Sequence, residues 1–230
     1  VGATDLDTAI GLVRSLDPKP GAQINPGKAE YVAPDAYAFR RGGRWQVSLS
    51  PNCQPKLSIN AHYTALMARA QRDDASYLRG QLQEARWLIK SLQTRAETML
   101  KVATAIVRAQ SAFLDYGPEA MRPLVLRDIA EQIGMHESTV SRMTTRKYLH
   151  TPRGTYEFKY FFSSGVSTID GGAASATAIQ AMIRKLIDEE TPTRPLSDQA
   201  LAVELNRRGI EVARRTVAKY REALHIPSSN

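Results

Sequence analysis

Apolar residues recur along most of this chain at helical rather than strand spacing. Leu6, Ala9, Ile10, Val13 and Leu16 predict a short helix over 5–16, which Asp17-Pro18 ends. A loop is expected over Pro18–Pro26. Residues 31–38 and 44–49 read as two strands around Arg40-Arg41-Gly42-Gly43, a hairpin signal. These arginines and glycines are turn chemistry, since no Gly-rich loop here leads into the Lys-Ser/Thr of a phosphate-binding loop. From Asp74 to about Phe113 a single stripe dominates. Leu78, Leu82, Ala85, Ile89, Leu92, Ala96, Met99, Ala103 and Ile106 alternate steps of four and three; Gln110 interrupts them and Phe113 resumes. Pro and Gly are absent between Gln81 and Tyr116, and Gly117-Pro118 is the stop. The pattern predicts one uninterrupted helix about 58 Å long. Its seam would face another helix of the chain or a dimer partner, and its length suits a rod between two functional surfaces.

Residues 124–147 have the pattern of a helix-turn-helix. Ala130 is small where two helices would cross, and Gly134 sits four residues on, in a turn that favours positive φ. Ile129, Ile133, Met135, Val140 and Met143 supply the interior. The second helix, from Glu137, then presents Ser138, Thr139, Ser141 and Arg142, suited to base edges in a major groove. Arg146 and Lys147 follow, where phosphates are expected. His136 is read as a turn histidine facing water. The small, polar run 163–175 predicts a flexible linker.

A last helical unit is expected over Ala176–Leu224. Ile179, Met182, Ile183, Leu186 and Ile187 share one face of its first helix, and Thr191-Pro192 and Pro195 break the chain after it. Ser197 can cap the next helix, Leu196 can staple to Leu201, and Gly209 stops it. A third helix covers Ala213, Arg214, Arg215, Thr216, Val217, Ala218, Lys219, Tyr220, Arg221 and Glu222. Val217 and Tyr220, with Ala213 or Leu224, can anchor it inside, leaving Arg214, Arg215, Thr216, Ala218, Lys219 and Arg221 largely outside. Adjacent arginines can fork onto guanine, with Lys219 and Arg221 on phosphate. Arg214 and Arg215 start that helix, where its dipole disfavours cations, so an anionic partner is the economical explanation.

Charge agrees with this reading. The 230 residues carry 31 Lys+Arg against 23 Asp+Glu, a net charge of +8 and a pI near 9.7, which favours a polyanion. Cys53 is the only cysteine, which excludes an intramolecular disulfide and a cysteine zinc cluster. The four histidines lack metal-ligand spacing, and no cofactor motif is present. No apolar stretch approaches the roughly 18 residues of a membrane helix. Val1-Gly2-Ala3-Thr4 shows neither Met nor signal peptide, so the chain is expected to start inside a longer protein. Adjacent acids at Asp73-Asp74 and Glu189-Glu190 diverge on a helix and make a poor acid/base pair, so no enzyme is read here.

Ala213–Glu222, ARRTVAKYRE, matches the RpoN box, signature of the sigma-54 family of bacterial transcription initiation factors. Leu126–Met143 with Arg146-Lys147-Tyr148, Phe158–Ser163 and Asp17–Gly21 also resemble that family. The resemblance implies a mainly α chain with a small β-hairpin. Residues 1–73 would be the later part of a core-RNA-polymerase-binding domain, 74–113 an extra-long helix, 114–162 a helix-turn-helix domain, 163–175 the linker and 176–230 the RpoN-box domain. It implies a non-catalytic, cytoplasmic, nucleoid-associated factor whose partners are promoter DNA and core RNA polymerase. The box helix would read an upstream GG element, with Arg214 and Arg215 on bases. The first helix-turn-helix (Glu137, Ser138, Thr139, Ser141, Arg142, Arg146, Lys147) would lie near a downstream GC element. An AAA+ activator ATPase would act mainly through a region not visible here. The alternative is a repressor that dimerises through the 74–113 seam.

Overall fold

A computed structural model describes residues 3–16, 32–53, 56–67, 72–168, 172–190 and 195–227. The expected Pro18–Pro26 loop lies outside them. The chain divides into two units, residues 1–32 and 33–230. The first contains helix α1 (Ala3–Ser15), close to the expected 5–16.

The second unit opens with a hairpin of β1 (Ala36–Arg41) and β2 (Arg44–Leu49). The first strand starts later than the 31–38 reading because Pro34 has no N–H for a ladder and Asp35 is committed elsewhere. The Asp35 N–H donates to the Tyr148 carbonyl at 2.9 Å. Its carboxylate accepts from the Tyr148 N–H at 2.9 Å and from Lys147 Nζ at 2.8 Å. The turn is also tighter than expected. Arg41 pairs with Arg44, so only Gly42 and Gly43 turn, with φ of 58° and 76°. A two-residue hairpin needs two successive positive φ values, which glycine reaches without a Cβ clash.

Helix α2 (Ala61–Met67) leads to α3 (Arg72–Ala109), 38 residues and about 57 Å long. The expectation of one unbroken helix to Phe113 needs correcting. A separate α4 (Ser111–Tyr116) follows a kink at Gln110, which has φ −102° and ψ 24°. Gln110 is fully buried. Its Nε2 donates to the carbonyls of Arg122 (2.8 Å) and Phe161 (3.1 Å), and its Oε1 accepts from the Arg122 N–H at 3.0 Å. A buried amide must find such partners, and here they lie outside its own helix. The seam is fully buried in the C-terminal half of α3, at Ala96, Met99, Ala103 and Ile106, and half-buried further back at Leu78, Leu82, Ala85, Ile89 and Leu92. Further back, Tyr77, Trp87 and Leu88 are exposed.

Next come α5 (Leu126–Ile133), α6 (Glu137–Thr144), β3 (Tyr148–Thr151) and β4 (Gly154–Glu157). The sheet order is β2-β1-β3-β4, with β1 and β3 parallel and the outer pairs antiparallel. Val102, Ile106, Phe113, Ile129, Val140, Leu149, Phe158 and Phe161 form the core beneath it. Phe113 meets Tyr156 and Phe161 edge-on, both at 5.5 Å.

The predicted flexible linker is instead an antiparallel pair, β5 (Gly165–Ser167) and β6 (Ala173–Ser175), on either side of residues 169–171, which lie outside the described set. Its small residues permit close packing rather than slack. A Cβ on Gly165 would sit 3.1 Å from Pro123 Cβ and 3.2 Å from Ala173 Cβ. Ser175 is buried, and its Oγ accepts from the Ala178 N–H at 3.0 Å to cap α7 (Ala176–Asp188). Ala178 belongs to the first core, whereas Ile179 and Ile183 belong to a second. That second core is completed from α8 (Asp198–Arg207), the following turn and α9 (Arg214–Ala223) by Leu201, Leu205, Ile210, Val212 and Val217.

Gln110→Leu leaves the Phe161 carbonyl without its partner inside the core. It should lower unfolding free energy by about 1–3 kcal/mol in urea titrations; a change under about 0.5 kcal/mol would contradict this account of the kink.

Candidate nucleic-acid interface

The first helix pair is built as its residues require. Ala130 is buried where α5 approaches α6. Gly134 adopts φ 66° and ψ 39°, the left-handed conformation anticipated for the turn. His136 is exposed, and it also caps α6: its Nδ1 accepts from the Ser138 N–H at 3.2 Å. That role was not legible in the sequence, because histidine is not among the usual N-caps. On α6 Val140 is buried, Glu137, Ser138 and Arg142 are exposed, and Thr139 and Ser141 are half-buried.

Beyond α6 the two expected phosphate contacts differ. Arg146 is exposed, at φ 53°, with its N–H donating to the Glu157 carboxylate at 2.9 Å. Lys147 is half-buried in the ion pair with Asp35, so its charge is already matched. Cys53 lies 3.5 Å from the same carboxylate. Burial, and then the charge on Asp35, push its thiol up, away from the reactive thiolate.

The second pair is fastened by a residue that sequence reasoning missed. Asn206 Nδ2 donates to the carbonyls of Ala202 (2.8 Å) and Val212 (3.3 Å), and its Oδ1 accepts from the Val212 N–H at 3.2 Å. These bonds fix the turn after Gly209, whose φ is 88°. Ser197 caps α8 as anticipated, accepting from the Ala200 N–H at 3.2 Å. On α9 Val217 is buried and Thr216 and Tyr220 are half-buried. Arg215, Ala218, Lys219 and Glu222 recur at helical spacing on one exposed face, with Arg214 and the cap Ala213 exposed beside it.

Arg221 requires a correction. It was expected outside on phosphate, yet it is 4% exposed. Its Nη1 donates to the Leu196 carbonyl and to Asp198 Oδ1, both at 3.1 Å. Asp198 opens α8, where the helix dipole favours a carboxylate, so a partner was waiting that spacing alone did not show.

Electrostatics separates α9 from its neighbours. Arg207 and Arg208 pair with Glu204 at 3.9 and 3.1 Å. Among the described residues, no carboxylate lies within ion-pair distance of Arg214, Arg215 or Lys219. The outward face of α9 therefore offers three cations without an ion-pair partner among the described residues, beside the exposed Glu222. Among the described residues there is no metal-ligating cluster and no helix long and apolar enough to cross a membrane.

Comparison with known proteins places this arrangement. Residues 75–230 match the family described as "Sigma-54, DNA binding domain", and residues 1–63 match "Sigma-54 factor, core binding domain". The chain belongs to the sigma-54 family. The RNA polymerase sigma-54 factor of Azotobacter vinelandii is 57% identical over 227 residues, covering 98% of this chain and 45% of that protein. The Escherichia coli K12 factor is 53% identical over 226 residues, covering 98% and 47%. This sigma-54 family chain thus spans about half the length of the curated relatives it matches. A crystal structure of Aquifex aeolicus sigmaN bound to promoter DNA is 31% identical, with a TM-score of 0.60, covering 98% of this chain and 72% of that one. The two matched segments of the sigma-54 chain share one sheet: β1 lies in the first and β3 in the second.

Asn206→Ala should destabilise the α8–α9 pair by about 1–3 kcal/mol, since the Val212 N–H loses its acceptor. Thermal melts followed by circular dichroism test this, and an unchanged melting temperature would remove Asn206 from the account.

Proposed function

We propose that this chain is the promoter-reading and polymerase-docking part of a sigma-54-type transcription initiation factor, with no catalysis of its own. The observation that carries the reading is the α9 face, where Arg214, Arg215 and Lys219 stand exposed with no carboxylate within ion-pair distance among the described residues. In this reading α9 enters a major groove at the upstream GG element. Arg214 and Arg215 address guanine O6 and N7, and Lys219 addresses phosphate. Thr216 lies at the margin of the contact, and Val217 and Tyr220 support it from inside. Helix α6 offers Ser138 and Arg142, with Glu137, Thr139 and Ser141 flanking them, near the downstream GC element; Arg146 reaches phosphate.

Residues 1–73 form the later part of the polymerase-binding domain, which the 1–63 match supports. The β1–β2 hairpin of that part pairs directly with β3 of the first DNA reader, so polymerase docking and DNA reading share one sheet. The core polymerase supplies the chemistry, and an AAA+ activator ATPase acts mainly through a region outside this chain. The factor works in the cytoplasm on nucleoid DNA. The dimeric-repressor alternative loses its main support, because this chain's own core occupies the C-terminal half of the α3 seam.

The test is fluorescence anisotropy on a duplex with spaced GG and GC elements and on one with the GG step scrambled, at two salt concentrations. A preference for the intact duplex that survives higher salt is expected; equal binding that vanishes with salt would overturn base readout. Arg215→Ala should cost about 1–3 kcal/mol on the intact duplex and little on the scrambled one. Lys219→Ala should weaken both alike and reduce the salt slope by about one. Equal losses on both duplexes from both variants would undo this division of roles.

A further inference from the structure

We infer that Arg221 is a positioning residue: with Asp198 it clamps the open end of the α8–α9 pair and sets the angle at which Arg215 and Lys219 meet DNA. The inference rests on α9 reading bases, and it removes one RpoN-box arginine from the DNA contacts.

Two helices joined by a short turn can still hinge about it. At the turn the hinge is closed by Asn206, bonded to Ala202 and Val212. Midway, Val217 packs into the second core with Leu201 and Leu205. Apolar packing of this kind restricts helices to a few classes of crossing angle but leaves a scatter of about 15–20° within each. At the open end the only polar ties between α9 and the start of α8, among the described residues, are those of Arg221 to the Leu196 carbonyl and Asp198. The triangle of turn, core and clamp leaves α9 one orientation. Arg215, Ala218, Lys219 and Glu222 then point away from the clamp.

The chain keeps this arginine at a disadvantage. Arg221 Nε is the one buried side-chain polar atom without a hydrogen bond among the described residues. A buried ion pair often stabilises less than well-packed apolar side chains of similar size, and one with an orphaned donor less still. Stability alone is therefore a poor reason for an arginine here. Directionality is a better one, since a guanidinium held at two acceptors defines an angle that a leucine would not.

Asp198 makes the idea testable, because the two roles for Arg221 predict opposite signs. If Arg221 contacted phosphate, removing the neighbouring negative charge in Asp198→Asn would strengthen binding to all DNA. If Arg221 positions α9, Asp198→Asn should loosen the clamp and reduce discrimination between intact and scrambled GG duplexes. The whole chain and its Asp198→Asn, Arg221→Gln and Arg221→Lys variants are titrated with both duplexes across a salt series. Expected is a loss of discrimination of about tenfold in Asp198→Asn and Arg221→Gln with the parent's salt slope retained, and partial recovery in Arg221→Lys, which still reaches one acceptor. Full discrimination in Asp198→Asn would overturn the proposal, as would a slope lowered by about one in Arg221→Gln with discrimination intact. Should Arg221→Gln fail to fold, the near-isosteric Asp198→Asn decides. A parent without GG preference would sink the base-readout reading instead. The clamp is then judged by hydrogen exchange of residues 214–223 in the free chain, which should quicken in Asp198→Asn; unchanged protection would overturn the clamp.

Discussion

The side chain of Gln110 is the constraint on which most of the architecture depends. A polar group at the end of a long apolar seam cannot be buried unpaired, since losing its hydrogen bonds would cost about 1–3 kcal/mol or more. Its amide closes on the backbone at Arg122 and Phe161, drawing the chain before α5 and the chain after β4 onto the end of α3. The kink there lets α4 bring Phe113 against Tyr156 and Phe161. The base of the first helix-turn-helix is thus fastened to the rod by directed bonds, and packing fills in around them.

Similar polar clamps recur where elements distant in sequence must keep a fixed relation. Asp35 joins the β1–β2 hairpin to β3 through the Tyr148 backbone and Lys147. Asn206 and Arg221 do the same for α8 and α9. Helix α7 contributes Ala178 to one core and Ile179 and Ile183 to the other, so the two helix-turn-helix units meet through a shared helix. For the proposed reading of two spaced DNA elements such directional joints matter, because base contacts depend on the orientation of the reading helix in the groove.

Much of this was legible in sequence. The stripe from Leu78 to Ile106 announced α3, and Ala130 with Gly134 announced the first turn at the right residues. Ser197 and Gly209 bounded α8 as read. The ten residues Ala213–Glu222 carried the family by themselves. The errors share a cause. Gln110, Lys147 and Arg221 are polar residues whose partners are distant or lie on another element, so local spacing assigned them to a helix interior or to solvent. The 163–175 segment looked slack because small residues serve flexible linkers and close strand packing equally well.

The sequence by itself determined most of the helices, the Ser197 cap, the glycine turns at Gly134 and Gly209, the excess of positive charge and the family, because periodicity, φ preference and a contiguous motif are local properties. Only the tertiary structure decided which charges remain free. Arg214, Arg215 and Lys219 face outward without an ion-pair partner among the described residues, while Lys147 and Arg221 are consumed by Asp35 and Asp198. The physical reason is that a side chain's electrostatic partner is set by distance in space, and the residues that meet here are 112 and 23 positions apart in the chain.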